Sequence, residues 1–293
     1  MHEMVRESWM RFNEPLEGIV NFMYLDVKGW VSTGMGNKID ETVRPNSAPS
    51  AAERQASLRL ANQLNWYDQS TGAAASPAEV AAAWDAVKAR LDLAPQGHRA
   101  FEGLTRLRVT NAEIARIVQL KLLEMERTLI TRPEFSGFAA WPANAQLGTL
   151  SMSWGMGPMF RFPKFQAFVA SGRWAAAAEE CKFNPDEGTI RYRNKLDRMY
   201  FLLAQKVADQ HLPVEYLVIA LDSVLAVQHG LWMLGYNPGP QDGGDGPKTQ
   251  AGVRSFQTAV GLPANGAWND PATRMELAGA LADNQRAKVI GSR

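Results

Sequence analysis

The chain has 293 residues, 46% of them hydrophobic, and a net charge of +1 from 31 basic and 30 acidic residues. That length suits one large or two modest domains, and the balanced charge removes the electrostatic case for nucleic acid as a partner. A single cysteine, Cys181, excludes an intramolecular disulfide framework, and four scattered histidines without an HExxH pattern argue against a zinc hydrolase.

The first fifteen residues carry charges throughout, so they do not read as a secretory signal. The longest apolar stretch, 216–227, is broken by Asp222 and is too short to span a bilayer. Synthesis in the cytoplasm without a Sec signal, and no membrane insertion, are therefore expected. Over 4–20, Val5, Trp9, Phe12, Leu16 and Ile19 recur at helical spacing, with Pro15 as a kink and an end near Glu17-Gly18. Next, MYLDVKGWVSTGMG combines strand formers with a Lys28-Gly29 turn, predicting a small hairpin. Leu107-Arg108-Val109 is a candidate third strand, followed by Thr110-Asn111-Ala112-Glu113 at capping-box spacing.

Residues 45–103 form an Ala-rich insert without evident chemistry, with helical patterns over 52–66 and 77–91. Helices are then predicted over 112–130, 143–154, 164–171, 174–181 and 189–210. The expected fold class is α+β: a mostly helical domain over 1–212 with a small sheet, then a small three-helix domain over 213–293, with Pro213 at the boundary.

Glu17, Asp26 and Ser32 are the candidate catalytic residues. They are spaced Glu-x8-Asp-x5-Ser across the helix-to-hairpin junction. Two carboxyl groups in one site can hydrolyse a glycosidic bond, one protonating the leaving oxygen and the other activating or orienting water. A helix C-terminus disfavours a charged Glu17, and Leu16, Ile19 and Phe22 could desolvate it; both effects favour a proton donor. Glu14 is a chemical rival for this role. Asp26 could equally cap backbone amides in a turn, and Ser32 or the adjacent Thr33 could hold a water.

Together with Gly29, Gly34 and Gly36, this segment resembles the active-site signature of the phage-type lysozymes, the endolysin muramidases of the glycoside hydrolase family 24 type. The family pattern is Glu-x8-Asp (or Cys)-x5-Thr followed by a GxGH-like turn. The resemblance implies a lysozyme-like fold, Glu17 as general acid, Asp26 as the water-directing carboxylate and Ser32 in the threonine position. Serine keeps the hydroxyl but lacks the methyl, and Asn37 stands where histidine is common. Trp154-Gly155-Met156-Gly157 resembles the family's FNxG segment. Gly188 to Arg193 resembles its GLxxRR turn, which implies that Arg191 or Arg193 could pair with Glu17. The resemblance covers about 5–37 and 104–205 and leaves the insert without a counterpart.

The stretch from Val224 to Leu277 resembles a peptidoglycan-binding pattern, through Val227-Gln228, Leu234-Gly235-Tyr236, Asp242-Gly243, Gly246-Pro247, Thr249, Phe256-Gln257 and Gly261-Leu262. Most such positions are structural. Tyr236, Asp242, Gln257 and Trp268 are the candidate ligand contacts, with Trp268 equally suited to the core. Jointly the two resemblances imply a muramidase cleaving the MurNAc–GlcNAc β-1,4 bond, concentrated on peptidoglycan by its C-terminal module. A lytic transglycosylase or chitinase-like glycosidase, or a non-catalytic wall-binding protein, are the alternatives. No metal or organic cofactor is implied. A monomer acting in the periplasm or cell wall is expected, either as an endolysin or as a secreted antibacterial effector with an immunity protein as a further partner.

Overall fold

The structure is a computed structural model that describes residues 1–291. It shows helices with small sheets, the α+β arrangement expected. The chain separates into two compact units, residues 17–120 and residues 1–16 with 121–293. No helix is long and apolar enough to cross a membrane.

Helix α1 spans Glu3–Glu17 and buries Val5, Trp9, Phe12 and Leu16, the stripe its spacing announces. Within the first unit, β1 (Val20–Leu25), β2 (Val31–Gly34) and β3 (Asn37–Lys38) form an antiparallel sheet in the order β1-β2-β3. Leu25 pairs with Val31, and both are buried; Tyr24 pairs with Ser32, and Ser32 with Lys38. Directly opposed residues share a face, so Tyr24, Ser32 and Lys38 line the face opposite Leu25 and Val31. Gly29 closes the hairpin at φ 72°, where a β-carbon would come within 2.7 Å of Asn46 Oδ1, so only glycine fits this turn.

The insert is well built. Helix α2 (Ala51–Ala61) and helix α3 (Pro77–Lys88) both begin with complete capping boxes, Ser50 with Glu53 and Ser76 with Glu79. Helix α2 ends earlier than its apolar pattern predicts, because the chain turns after Asn62 and Trp66 enters a strand instead. That strand, β4 (Trp66–Asp68), pairs with β5 (Leu107–Val109). The expectation that Leu107–Val109 would extend the hairpin sheet is therefore corrected: Asn37–Lys38 takes that place. Lys88, at the end of α3, is buried and donates to Asp40 Oδ2 (2.8 Å) and to the Gly29 carbonyl (2.7 Å), tying the insert to the hairpin turn. Burial opposes the charge on Asp40, but hydrogen bonds from Lys88, Thr42 and the Val31 amide outweigh it and hold its carboxyl below the usual range. Helix α4 (Asn111–Ile130) starts with Thr110 Oγ1 accepting from the Glu113 amide, half of the expected box. The Glu113 carboxylate turns instead to Arg116 and Asn65.

In the second unit α5 (Ala143–Met156) is the central helix, buried from Ala143 to Trp154 on every side. Its small residues permit this: a β-carbon at Gly148 would press to 3.0 Å on the Phe201 ring of α8. Helix α8 (Gly188–Asp209) packs along it, α7 (Trp174–Glu180) packs on α8, and α6 (Pro163–Ala170) packs on α7. Cys181 is a free, buried thiol. The C-terminal helices α9 (Val224–Met233), α10 (Pro247–Ala259) and α11 (Pro271–Asp283) enclose their own core of Val227, Leu231, Val253, Phe256, Leu277 and Leu281. A parallel strand pair, β6 (Val218–Ile219) with β7 (Lys288–Val289), closes this part.

This module packs directly onto the helices before it. Arg11 Nε donates to the Trp232 carbonyl, Trp232 Nε1 donates to the Arg11 carbonyl (both 2.7 Å), and the Arg11 guanidinium lies 4.3 Å from the Trp232 ring. Nearby, the Tyr200 hydroxyl meets His229 Nε2 at 2.7 Å in a buried contact.

Candidate functional site

Glu17 ends α1 and its side chain is exposed. Its carboxylate reaches the β2–β3 turn, since a β-carbon on Gly36 would lie 3.3 Å from Glu17 Oε2. Gly36 has φ 64°, so this turn selects glycine for its backbone and keeps the approach to Glu17 open. The desolvation expected from Leu16, Ile19 and Phe22 is not built around Glu17: Leu16 and Phe22 are buried in the protein while Glu17 stays in solvent.

Asp26 is half-buried at the hairpin turn. Its Oδ1 accepts from the Lys28 amide (2.9 Å) and the Trp30 amide (3.0 Å), and its carbonyl accepts from the Gly29 amide. This is the turn-capping role open to any aspartate there. Asp26 Oδ2 accepts no hydrogen bond among the described residues, which leaves one oxygen for other work. Ser32 is buried on β2, directly across from Tyr24. Thr33, the rival hydroxyl, points the other way and donates to the Val20 carbonyl (3.3 Å). Glu14 pairs with Arg11 (3.4 Å), the arginine stacked on Trp232.

Tyr24 is the residue that sequence reasoning treated only as a strand former. Burial, and then the negative charges of Glu17 and Asp26, push its phenol up to about 12. It stands within electrostatic reach of both carboxylates and opposite Ser32. A neutral phenol in that place is a hydrogen-bond donor between two anions. The insert reaches the same strand: His98 packs 6.0 Å from the Tyr24 ring and 6.5 Å from Phe22. Together with Asn21, Arg99, Glu102 and Asn111 it lines a polar cleft beside β1.

The remaining predicted contacts divide by burial. Trp154 is buried against Trp9 (5.4 Å between rings), and Lys121 Nζ covers its face at 3.9 Å. Trp154, a candidate substrate contact through its family-like segment, thus packs within the helical unit. Arg193 is likewise buried, donating to Ser151 Oγ (2.9 Å) and Asn13 Oδ1 (3.0 Å). Arg191 is exposed. Close by, Asp197 is fully buried. Burial pushes its carboxyl up to about 7, against the opposing pull of Arg193 and Ser151.

In the C-terminal module Gln257 is completely buried. Its Nε2 donates to Asn265 Oδ1 (2.8 Å) and Thr273 Oγ1 (2.9 Å), and its Oε1 accepts from the Gly266 amide (2.9 Å). Gln228 repeats the device on the first loop, with Thr249 Oγ1 (2.8 Å), Asp242 Oδ1 (3.2 Å) and the Gly243 amide (2.8 Å). Gln257 thus clamps its own loop. Asp242 is half-buried in the same network, and hydrogen bonds there outweigh burial to hold its carboxyl below the usual range. Trp268 is partly buried against the module core. Tyr236 stands edge-on to Phe256, 5.3 Å between ring centroids, and lines a cleft.

A family model described as "Putative peptidoglycan binding domain" matches residues 221–275, which gives the chain a C-terminal peptidoglycan-binding domain and fits association with the cell wall. No curated protein and no solved structure matches the chain.

Proposed function

We propose that the protein is a peptidoglycan hydrolase of the muramidase type, cleaving the MurNAc–GlcNAc β-1,4 bond. Glu17 is the general acid, Asp26 directs water through Oδ2, and Tyr24 and Ser32 position the water and the sugar between them. The observation that carries this reading is Tyr24, whose phenol feels both Glu17 and Asp26 and faces Ser32 across the strand pair. That juxtaposition supports reading the three motif positions as one chemical neighbourhood. Glu17 is exposed in the free protein, and a bound glycan would exclude water from it.

The binding domain presents this chemistry to an insoluble polymer, so the enzyme acts in the periplasm or cell wall. A phage endolysin and a secreted antibacterial effector both fit, and the effector would have an immunity protein. One observation favours a second reading. Asp26 Oδ1 is committed to two turn amides, and a lytic transglycosylase needs only the acid, with the sugar's own hydroxyl as nucleophile. Purified sacculi digested with the protein distinguish the two. New reducing ends without anhydro-muramic acid support the hydrolase, and anhydro products identify the transglycosylase. Glu17→Gln must abolish either activity with wall binding retained. Equal clearing by wild type and Glu17→Gln would remove Glu17 from the chemistry. No clearing by either would leave a wall-binding protein.

A further inference from the structure

Beside the hairpin lies a cleft of about 290 Å³ whose exposed lining is mostly polar. Three segments build it: Asn21 and Phe22 from β1, His98, Arg99 and Glu102 from the end of the insert, and Asn111 from the start of α4. All lie within the unit of residues 17–120. The wall is held from behind. His98 and Arg99 sit on a single 3-10 turn, His98–Phe101, anchored by the buried Phe101. The Glu102 carbonyl accepts from the buried Arg108 (2.8 Å), which also holds the Thr105 and Leu107 carbonyls and sets its guanidinium 5.2 Å from the Phe22 ring. Groups fixed in this way lose little freedom when a ligand arrives. The five polar side chains of the lining are exposed, and none makes a hydrogen bond or ion pair among the described residues.

We propose that this cleft is a saccharide subsite, holding a sugar of the glycan strand to one side of the bond that is cut. The proposal rests on the muramidase reading and extends it to the insert, which that chemistry leaves unused. Donor and acceptor types select the ligand. Asn21 and Asn111 each offer both, as does a neutral His98, while Arg99 only donates and Glu102 only accepts. Sugar hydroxyls and an acetamido group need this mixture. An anion would need donors alone and would be repelled by Glu102. An apolar peptide side chain would find little to cover it, since Phe22 is already buried against Arg108. Position selects the polymer. His98 packs against Phe22 and, edge-on, against Tyr24, so the cleft and the Tyr24 phenol share a wall. Asn21 lies three residues before Tyr24 on β1, roughly 10 Å away at the rise of a strand. A linear glycan reacting beside Tyr24 extends in both directions from it, and along β1 it meets this polar wall.

The test reads the His98 imidazole by NMR in the full chain carrying Glu17→Gln and labelled histidine. The chain has four histidines, and a His98→Gln variant assigns the signal. Short peptide-free glycan strands, prepared from amidase-treated sacculi, should shift that signal saturably. Arg99→Ala combined with Glu102→Ala removes one charge of each sign, so net charge and long-range attraction stay the same. Both side chains are exposed, and the thermal midpoint should not move. In this double variant the glycan concentration giving half the shift should rise at least tenfold. With Glu17 intact, the same double substitution should act on KM for the glycan strands more than on kcat, the mark of uniform substrate binding. A His98 signal that ignores the glycan, or the same half-shift concentration with and without Arg99 and Glu102, would overturn the subsite. So would a signal moved by a soluble stem peptide and not by the glycan, which would make the cleft a peptide site. Failure of the muramidase reading shows itself separately: a saturable His98 shift, beside wild-type protein that releases no reducing ends from sacculi, would uphold sugar binding here and remove the hydrolysis.

Discussion

The hairpin and the C-terminal module use their most recognisable residues in opposite ways. In the hairpin, Glu17 is exposed and Asp26 half-buried, with Asp26 Oδ2 uncommitted, so two of the three recognisable positions keep polar atoms open to solvent. In the module, Gln228 and Gln257 are completely buried and each satisfies its own loop, so the recognisable positions face inward and carry shape. A polar residue in a motif is therefore not evidence for a ligand contact until its hydrogen bonds are accounted for.

Removing Glu17 tests the outward half and has the largest expected effect. Loss of a general acid lowers turnover by about 10²- to 10⁴-fold, so Glu17→Gln should show no measurable clearing of sacculi while its unfolding curve overlays wild type. Glu14→Gln is the matched control. Glu14 is engaged with Arg11 and should leave clearing within a small factor of wild type.

The next test breaks the support beneath the hairpin. Lys88 and Asp40 are both buried, and Lys88 also holds the Gly29 carbonyl of the hairpin turn. Lys88→Met leaves Asp40 buried without its partner and should cost about 3–5 kcal/mol in denaturant unfolding. Adding Asp40→Asn to Lys88→Met should restore part of that loss, since the uncompensated charge is gone while the amide oxygen still accepts from one of the Val31 and Thr42 amides. A double variant no more stable than Lys88→Met would show that the cost comes from packing and not from charge.

How far each region could be read in advance follows from the range of its interactions. The hairpin was legible because strand formers bracket a Lys-Gly turn, and the module because its spacing is long and specific. Thr110 at the start of α4 was legible for the same local reason. The capping boxes of the insert, Ser50 with Glu53 and Ser76 with Glu79, are equally local. They would have shown its helices to be well defined, although its Ala-rich composition suggested little. What could not be read is what depends on distant pairing. Trp66 follows a helical pattern but is drawn into a strand by Leu107–Val109. Lys88 and Asp40 are too far apart in sequence to announce themselves as a pair. Tyr24 looks like any strand tyrosine until the fold sets it against two carboxylates. Trp154 and Arg193 fall in family-like segments, and only packing shows that both are inside.

The helical packing around α8 carries a proton-linked comparison of its own. His229 is buried, with Tyr200 at Nε2 and Gln241 at Nδ1, and burial pulls it down to about 4 from an ordinary 6.5, outweighing the Gln241 hydrogen bond. The unfolded chain then takes up a proton below about pH 6.5 that the folded chain refuses until about pH 4, so stability falls as pH drops through that window. Asp197 acts in reverse. Folded, it keeps its proton up to about pH 7, while the unfolded chain releases it above an ordinary 3.8, so stability falls as pH rises. Each group contributes about 3–4 kcal/mol across its window, and between about pH 4.5 and 6.5 the two slopes oppose each other. The wild-type urea midpoint should be nearly flat there. Asp197→Asn should make it decline as pH is lowered, and His229→Gln should make it decline as pH is raised. Parallel profiles for all three proteins would mean that neither group is held in the stated form.

The smallest effects should come from the loop clamps, and they return to the inward half of the comparison. Gln257→Ala strips the Gly266 amide of its acceptor and leaves Thr273 and Asn265 without their donor. Gln228→Ala does the same to Gly243, Asp242 and Thr249. An unsatisfied buried polar group costs about 1–3 kcal/mol, so each variant should unfold at lower denaturant by that amount. If the glutamines are clamps only, sedimentation with sacculi measured well below either unfolding transition should match wild type. Gln257→Ala would then bind sacculi normally while unfolding at lower denaturant. Should Gln257→Ala instead lose binding while fully folded, the second loop would itself be part of the ligand surface. The inward and outward roles would then be shared within the module, and not divided between the module and the hairpin.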